Sequence, residues 1–206
     1  MGEIQNRPFQ LSFNASLKVE FQGSRVTSDG GLILVRELDE RLGFGELIAQ
    51  HLTDCRGKNA QFCFADLLRQ SVYSRLAGYE DLNDAECLSQ DPTLRLISSE
   101  RIWDRGAALT SQLQSFETEM LAEGADFAGL ARLNRELVGK AEGINSQSRT
   151  VLDMDSTEIP VHGAQKQSAY NGHFESNCYH PLLLFNRDGD YLAAKLRPGN
   201  IHSADG

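Results

Sequence analysis

The hydrophobic pattern of this chain changes period near residue 148, and that change bounds what it can fold into. Upstream, apolar residues recur at three- and four-residue spacing, the signature of helices that bury one face; downstream they alternate every second residue, as strands do. The expected class is therefore α+β, with a helical region over 1–145 and a strand-bearing region over 146–206.

Within the first region, a short strand is expected at Leu17–Phe21 and a turn at Ser28–Gly31. Leu32, Val35, Leu38 and Leu42 form a helical stripe that Gly43 closes, and Glu46–Leu52 reads as a second, shorter helix. Gln61–Leu76 is the strongest helix. Phe62, Ala65, Leu68, Val72 and Leu76 share a face that Phe64, Leu67 and Tyr73 widen, which places it in the middle of a bundle. Arg69 and Arg75 fall on its polar side, where long stems snorkel to water. Asp91-Pro92 stops one helix and opens another. Ile102, Leu109, Leu113, Phe116 and Met120 predict a helix over Glu100–Ala122, and Phe127–Val138 a further one. The polar run Lys140–Ser148 reads as a connection.

Beyond it, Tyr179–Phe185 and Tyr191–Arg197 are two strand-like runs joined by Asn186-Arg187-Asp188-Gly189, a hairpin signal. The segment Arg149–Thr157 (R-T-V-L-D-M-D-S-T) carries the chemistry. Strand alternation puts Asp153 and Asp155 on one side with Val151, and sends Leu152 and Met154 toward a core. Two carboxylates at a strand end beside the hydroxyls of Ser156 and Thr157 form a hard-oxygen site suited to magnesium. The same residues also suit a strand terminus whose Asp and Ser cap a turn.

The chain carries a net charge of −9, which argues against a surface that embraces duplex DNA along its length, because such binding rests on Lys and Arg at phosphates. Hydrophobic residues make up 40% and charged ones 24%, an ordinary soluble composition. No apolar run approaches the ~20 residues of a membrane span, and the N-terminus lacks a signal peptide, so a cytoplasmic location is expected. Cys55, Cys63, Cys87 and Cys178 make no C-x-x-C pair, which disfavours zinc; Cys63, inside F-C-F, is expected to behave as a small core residue.

Two enzyme classes use V-L-D-M-D-S-T. A haloacid-dehalogenase-type phosphatase would employ Asp153 as nucleophile, Asp155 as acid/base and Thr157 at the phosphate, but it needs a parallel sheet with crossover helices. A ribonuclease H-type nuclease instead opens with three antiparallel strands, a catalytic Asp on the first.

Several blocks resemble a bacterial DDE-type insertion-sequence transposase. They are Asp153–Thr157 with Val161-His162-Gly163, Ser168–Phe174, Cys178–Pro181, Leu196–Asn200 and His202–Gly206. Upstream, Val26–Gly31, Asp66–Gln70 and Gly78–Asp84 resemble the N-terminal part of the same family. The resemblance implies a protein that cuts and joins DNA, with the terminal inverted repeats of its element and a target DNA as partners. Self-association into a homo-oligomer is compatible with it, and neither a membrane nor a small-molecule substrate is implied. Asp155 would be the first Asp of the D-D-E triad and a ligand of one or both of two Mg²⁺ (or Mn²⁺) ions; Asp153, two residues earlier, suits either support of the same metal site from behind its ligands or a solvent-facing, hydrogen-bonded acid.

The second Asp and the Glu find no match in this chain. With the helix-like start at Ile201–Gly206 that does not continue, the expectation is an incomplete ribonuclease H-like domain, catalytically inactive by itself. Thr110–Phe116 also lacks an arginine that relatives carry. A fragment of this kind could still act without catalysis, as a DNA-binding or dimerising inhibitor. Among smaller residues, His162 and His202 are candidates for phosphate contacts, Tyr170 in the turn-like Y-N-G for stacking on a splayed base, and Arg197 for a phosphate or a surface ion pair.

Overall fold

The structure of the protein is a computed structural model that describes residues 9–19, 29–57, 59–122, 124–144 and 150–202. The chain divides into two compact units, Met1–Leu133 and Asn134–Gly206. Each is described by itself. Residues 20–28, 145–149 and 203–206, which include part of the expected first strand, Ser28, Arg149 and the helix-like terminus, lie outside the described residues.

The first unit opens with a two-stranded ladder, β1 (Phe9–Gln10) with β2 (Lys18–Val19), and continues as helices. These are α1 (Leu32–Leu42), α2 (Phe44–His51), α3 (Phe64–Leu76), α4 (Ala85–Gln90), α5 (Pro92–Ile97), α6 (Glu100–Arg105) and α7 (Thr110–Ser115). Helix α8 (Gly124–Ile144) runs from this unit into the second, and it covers most of the stretch expected as a polar connection. Helix α1 has the expected bounds, and Gly43 ends it with φ +66°.

Its buried face differs from the expected one. Leu38 is 53% exposed while Glu37 and Asp39 are buried. The reason is a charge cluster. Arg69 of α3 donates to Asp39 through Nε and Nη2, both at 2.8 Å, and the Tyr73 hydroxyl donates to the same carboxylate at 2.5 Å. Arg36 adds a contact at 3.2 Å and donates from Nε to the Ile97 carbonyl of α5. Arg69 therefore does not snorkel; it locks α1 to α3. Arg75, expected to snorkel as well, pairs with Glu117 at 2.8 Å. Cys63, expected in the core, is exposed and caps α3, its Sγ accepting from the Asp66 N–H at 3.3 Å.

The helix expected over Glu100–Ala122 breaks after α6. Gly106 sits at φ +86°, which a side chain would strain. The Ala107 N–H then leaves the helix to donate to the Ser89 carbonyl, and Ala108 exchanges two hydrogen bonds with the buried Gln70 side chain. The chain resumes in α7 and a wider turn, in which the Leu121 N–H bonds the Phe116 carbonyl. A buried amide on α3 thus outweighs local helical spacing. Phe116 packs edge-on against Phe64, ring centres 5.1 Å apart, in the core of the unit.

The second unit holds two three-stranded antiparallel sheets. One has the order β3 (Leu152–Ser156), β7 (Leu182–Asn186), β8 (Tyr191–Lys195); the other has β4 (Ile159–Pro160), β6 (Ser176–Tyr179), β5 (Ala169–Asn171). The single strand expected over Tyr179–Phe185 is split between the sheets at His180-Pro181. Proline has no N–H for a ladder. The His180 N–H donates instead to the Arg197 carbonyl at 2.9 Å, and Arg197 Nε returns a bond to the His180 carbonyl. Arg197 is buried in this clasp, contrary to the expected surface contact. The hairpin between β7 and β8 forms as expected. Asn186 Oδ1 accepts from the Asp188 and Asp190 N–H groups, and Gly189 takes φ +85°.

Leu152 and Met154, expected in a core, are 56% and 62% exposed. Every strand pair among the described residues is antiparallel, at odds with the parallel sheet that a haloacid-dehalogenase-type phosphatase requires.

Two outcomes follow from the helical unit. Asp39→Ala takes from the half-buried Arg69 the carboxylate it is bonded to and leaves Arg36 with the Glu40 carboxylate; it should lower unfolding stability by about 3–5 kcal/mol, read by urea denaturation, and a loss under about 1 kcal/mol contradicts the lock. Acid should act through Glu117. Burial opposes its charge, but Arg75 and the Ser71 hydroxyl outweigh that and hold its pKa below the ordinary 4.5. Its contribution is complete above that value and is lost as pH falls below it. Glu117→Gln should flatten the acid limb of Tm against pH, and an unchanged limb contradicts the assignment.

Candidate functional site

Strand β3 positions the two carboxylates. In the β3–β7 register Asp153 stands opposite Phe185 and Asp155 opposite Leu183. Strand alternation places both acids on one face, and both are exposed. Phe185 and Tyr191 of β8 are opposite each other and in edge-to-face contact, ring centres 6.1 Å apart, so an aromatic pair continues the row that Asp153 begins. Leu183 and Ala194 continue the row of Asp155.

Beyond the carboxylates, the hydroxyl pair separates. Ser156 falls on the other face of the strand, and its contribution is a backbone N–H that donates to Asp155 Oδ1 at 2.8 Å. Thr157 lies past the strand end, where its N–H meets the Pro181 carbonyl at 3.3 Å. That bond joins the end of β3 to the break between the two sheets.

Two exposed carboxylates on one strand face are hard, anionic donors that fit part of the coordination shell of a divalent cation. They are not a whole shell. Among the described residues no group of three or more His, Cys, Asp or Glu is placed to hold a metal ion. The donor set therefore fits a metal as a contribution to a shared centre.

A second feature lies on the other sheet. A pocket of about 560 Å³ is lined by residues that include Tyr170, His173, Phe174, His180, Asn200 and His202. Its parts come from the β5–β6 hairpin and from the turn after β8. Asn171, at the end of β5, accepts at Oδ1 from the His173 and Phe174 N–H groups and donates from Nδ2 to the Gly199 carbonyl at 2.6 Å. Gly199 has no room for a side chain: a Cβ there would stand 2.3 Å from the Ala169 carbonyl oxygen and 2.6 Å from that of Cys178. Glycine lets the turn lie against both strands, and the turn then presents Asn200 and His202 to the pocket.

Of the histidines singled out in the sequence, His202 lines this pocket and His162 is exposed outside its lining. Tyr170 belongs to β5 rather than to a turn, and is 59% exposed. Sequence reasoning did not find His173, His180 or Asn200. Their segments, N-G-H-F, Y-H-P and P-G-N, stood out as blocks, but nothing in the linear order shows that one pocket gathers them.

No curated protein and no solved structure matches the chain. No helix among the described residues is long and apolar enough to cross a membrane. The sequence does match a family, described as transposase DDE domain group 1, over residues 9–206, a span that takes in both units and both features above. With its acid-bearing antiparallel strand inside that span, the chain belongs to the transposase DDE domain group 1 family.

Proposed function

We propose that this chain supplies the first metal-binding carboxylate, Asp155, with Asp153 beside it, to a DDE-type centre that cleaves and rejoins DNA at the ends of a mobile element. The observation that carries the reading is the pair of exposed acids on one face of β3, the strand that opens the β3–β7–β8 sheet. An opening of three antiparallel strands with an acid on the first is the plan of a ribonuclease H-like domain, and supports that assignment for the second unit.

Bound there, Mg²⁺ or Mn²⁺ would activate the attacking oxygen and stabilise the leaving one in phosphodiester exchange. Asp155 would hold the cation, and the Ser156 N–H fixes one of its oxygens at 2.8 Å. Asp153, two residues earlier on the same face, adds negative charge that favours the cation. Among the described residues no third acid or histidine stands with these two, so the reading calls for further ligands beyond them. Duplex DNA, the terminal repeats and a target, is the substrate. The low content of Lys and Arg relative to Asp and Glu, 20 against 29, confines its contacts to local patches.

Three measurements test this reading. Incubated with Fe²⁺ and ascorbate, the chain should be cut by hydroxyl radicals within a few residues of Asp155, and Asp155→Ala should abolish the cut; cuts elsewhere, or cuts that survive the substitution, contradict the site. In an excision assay with the element's own transposase gene, Asp155→Ala should lower excision at least about a hundredfold, since metal stabilisation of the transition state is worth several kcal/mol. The isolated chain should neither nick nor join DNA in Mg²⁺ or Mn²⁺, and cleavage by it would show that its own residues complete the centre.

A further inference from the structure

The pocket between the β5–β6 hairpin and the Gly199 turn is not explained by two carboxylates on the other sheet. Its walls are planar rings. Tyr170 stands exposed on β5. His173 and Phe174 meet edge-to-face with centres 5.0 Å apart, and Phe174 and His180 do so at 5.6 Å. His180 is itself fixed, because its Nδ1 lies 3.1 Å from the Ile201 carbonyl, an oxygen that can only accept. No Lys or Arg is among the residues that line the pocket.

That composition selects a class of ligand. The strongest phosphate partners, guanidinium and ammonium groups and a helix N-terminus, are absent from the lining, which offers rings and the polar edges of His173, His180, His202 and Asn200 instead. A neutral planar ring needs what is present: a π-face to stack on, polar edges to pair with, and a preformed concave shape. The volume, about 560 Å³, is ample for one nucleobase with part of its sugar. The site is also preformed, since the three Asn171 hydrogen bonds and the close approach of Gly199 hold both of its walls. It adjoins the metal-bearing strand through the chain itself: His180 lines the pocket, and the next residue, Pro181, accepts the bond from Thr157 at the end of β3.

We propose that this pocket receives a single unstacked nucleobase of DNA, with Tyr170 as the stacking face and the Asn200 amide pairing with the base edge. The inference rests on the proposed DNA-processing function and names how one nucleotide is gripped near the reacting strand. An acidic protein gains from such a grip, because stacking does not depend on neutralising phosphates. A base withdrawn from a duplex must first lose its own stacking and pairing, so an unpaired base is the favoured occupant.

The test uses the full chain and duplexes carrying 2-aminopurine, a fluorescent base, either paired or as a single-base bulge. The bulged duplex should bind about tenfold or more tightly than the paired one, with quenching of the probe on stacking. Tyr170→Ala should remove the preference and the quenching, Tyr170→Phe should keep both, and Asn200→Ala should weaken the preference. Equal binding of the two duplexes overturns the pocket while leaving DNA binding in place. A preference that survives Tyr170→Ala overturns the assignment of the stacking face. Competition by free dAMP at concentrations near those of the duplex assigns the pocket to a mononucleotide and overturns its role on DNA. Binding of neither duplex overturns the pocket and DNA binding by this chain together. Asp155→Ala should leave the bulge preference intact, so that a failed metal site and a failed base pocket remain separate results.

Discussion

The second unit depends on the break at His180-Pro181. An apolar run that would otherwise make one long strand is divided because proline cannot extend the ladder, and the freed backbone of His180 is taken up by Arg197 in a reciprocal pair of bonds. The burial of Arg197 closes this clasp. From that one division come two small sheets rather than one. One sheet carries the carboxylates, the other the ring-lined pocket, and the residue at the break has the end of β3 on one side and the pocket wall on the other. A single backbone irregularity thus sets the two candidate functional features beside each other.

The helical unit is organised by polar groups to an extent that its sequence pattern conceals. Asp39, Gln70, Asp66 and Ser71 are buried, and each meets a partner distant in sequence: Arg69 and Tyr73, Ala108, Ser99, and Glu117. Buried polar groups left unpaired cost more than apolar contacts gain, so these pairs dictate which helix faces turn inward. Burial, with the Asp39 carboxylate against it, also holds the Tyr73 phenol far above its ordinary pKa, which keeps it a hydrogen-bond donor throughout the working range. The net charge of −9 is consistent with this use of arginine: Arg36, Arg69 and Arg75 serve the interior or its rim and are committed to carboxylates.

Much of this was legible in the residues, and most of the failures share one cause. Helix α1 and its terminal glycine, the Asp91-Pro92 start of α5, the hairpin at Asn186–Gly189 and strand β3 are all specified locally, by capping, turn chemistry and alternation. The break of the Glu100–Ala122 helix, the inward turn of Asp39 and the burial of Arg197 depend on partners 38, 30 and 17 residues away, whereas the split at Pro181 follows from a local feature, a residue without an N–H inside an apolar run. Periodicity cannot register such partners. The same holds for the sites. Asp153 and Asp155 are neighbours in the chain and share a face by strand geometry alone. The pocket draws on three separate segments, 170–174, His180 and 199–202, and the fit of Gly199 against Ala169 and Cys178, with the Asn171 bond to the Gly199 carbonyl, brings the first and last into contact.

Strand β3 closes one side of its sheet, so among the described residues its ladder runs along β7 alone. A strand tethered on one side frays more easily than one held on both. Any cation that relies on Asp155 must therefore also immobilise the ribbon that carries it, and part of its binding energy goes into that ordering rather than into affinity. A second neighbour for β3 would relieve that burden, so the proposed grip on metal would tighten with whatever stiffens this outer ribbon, even when no new ligand is added.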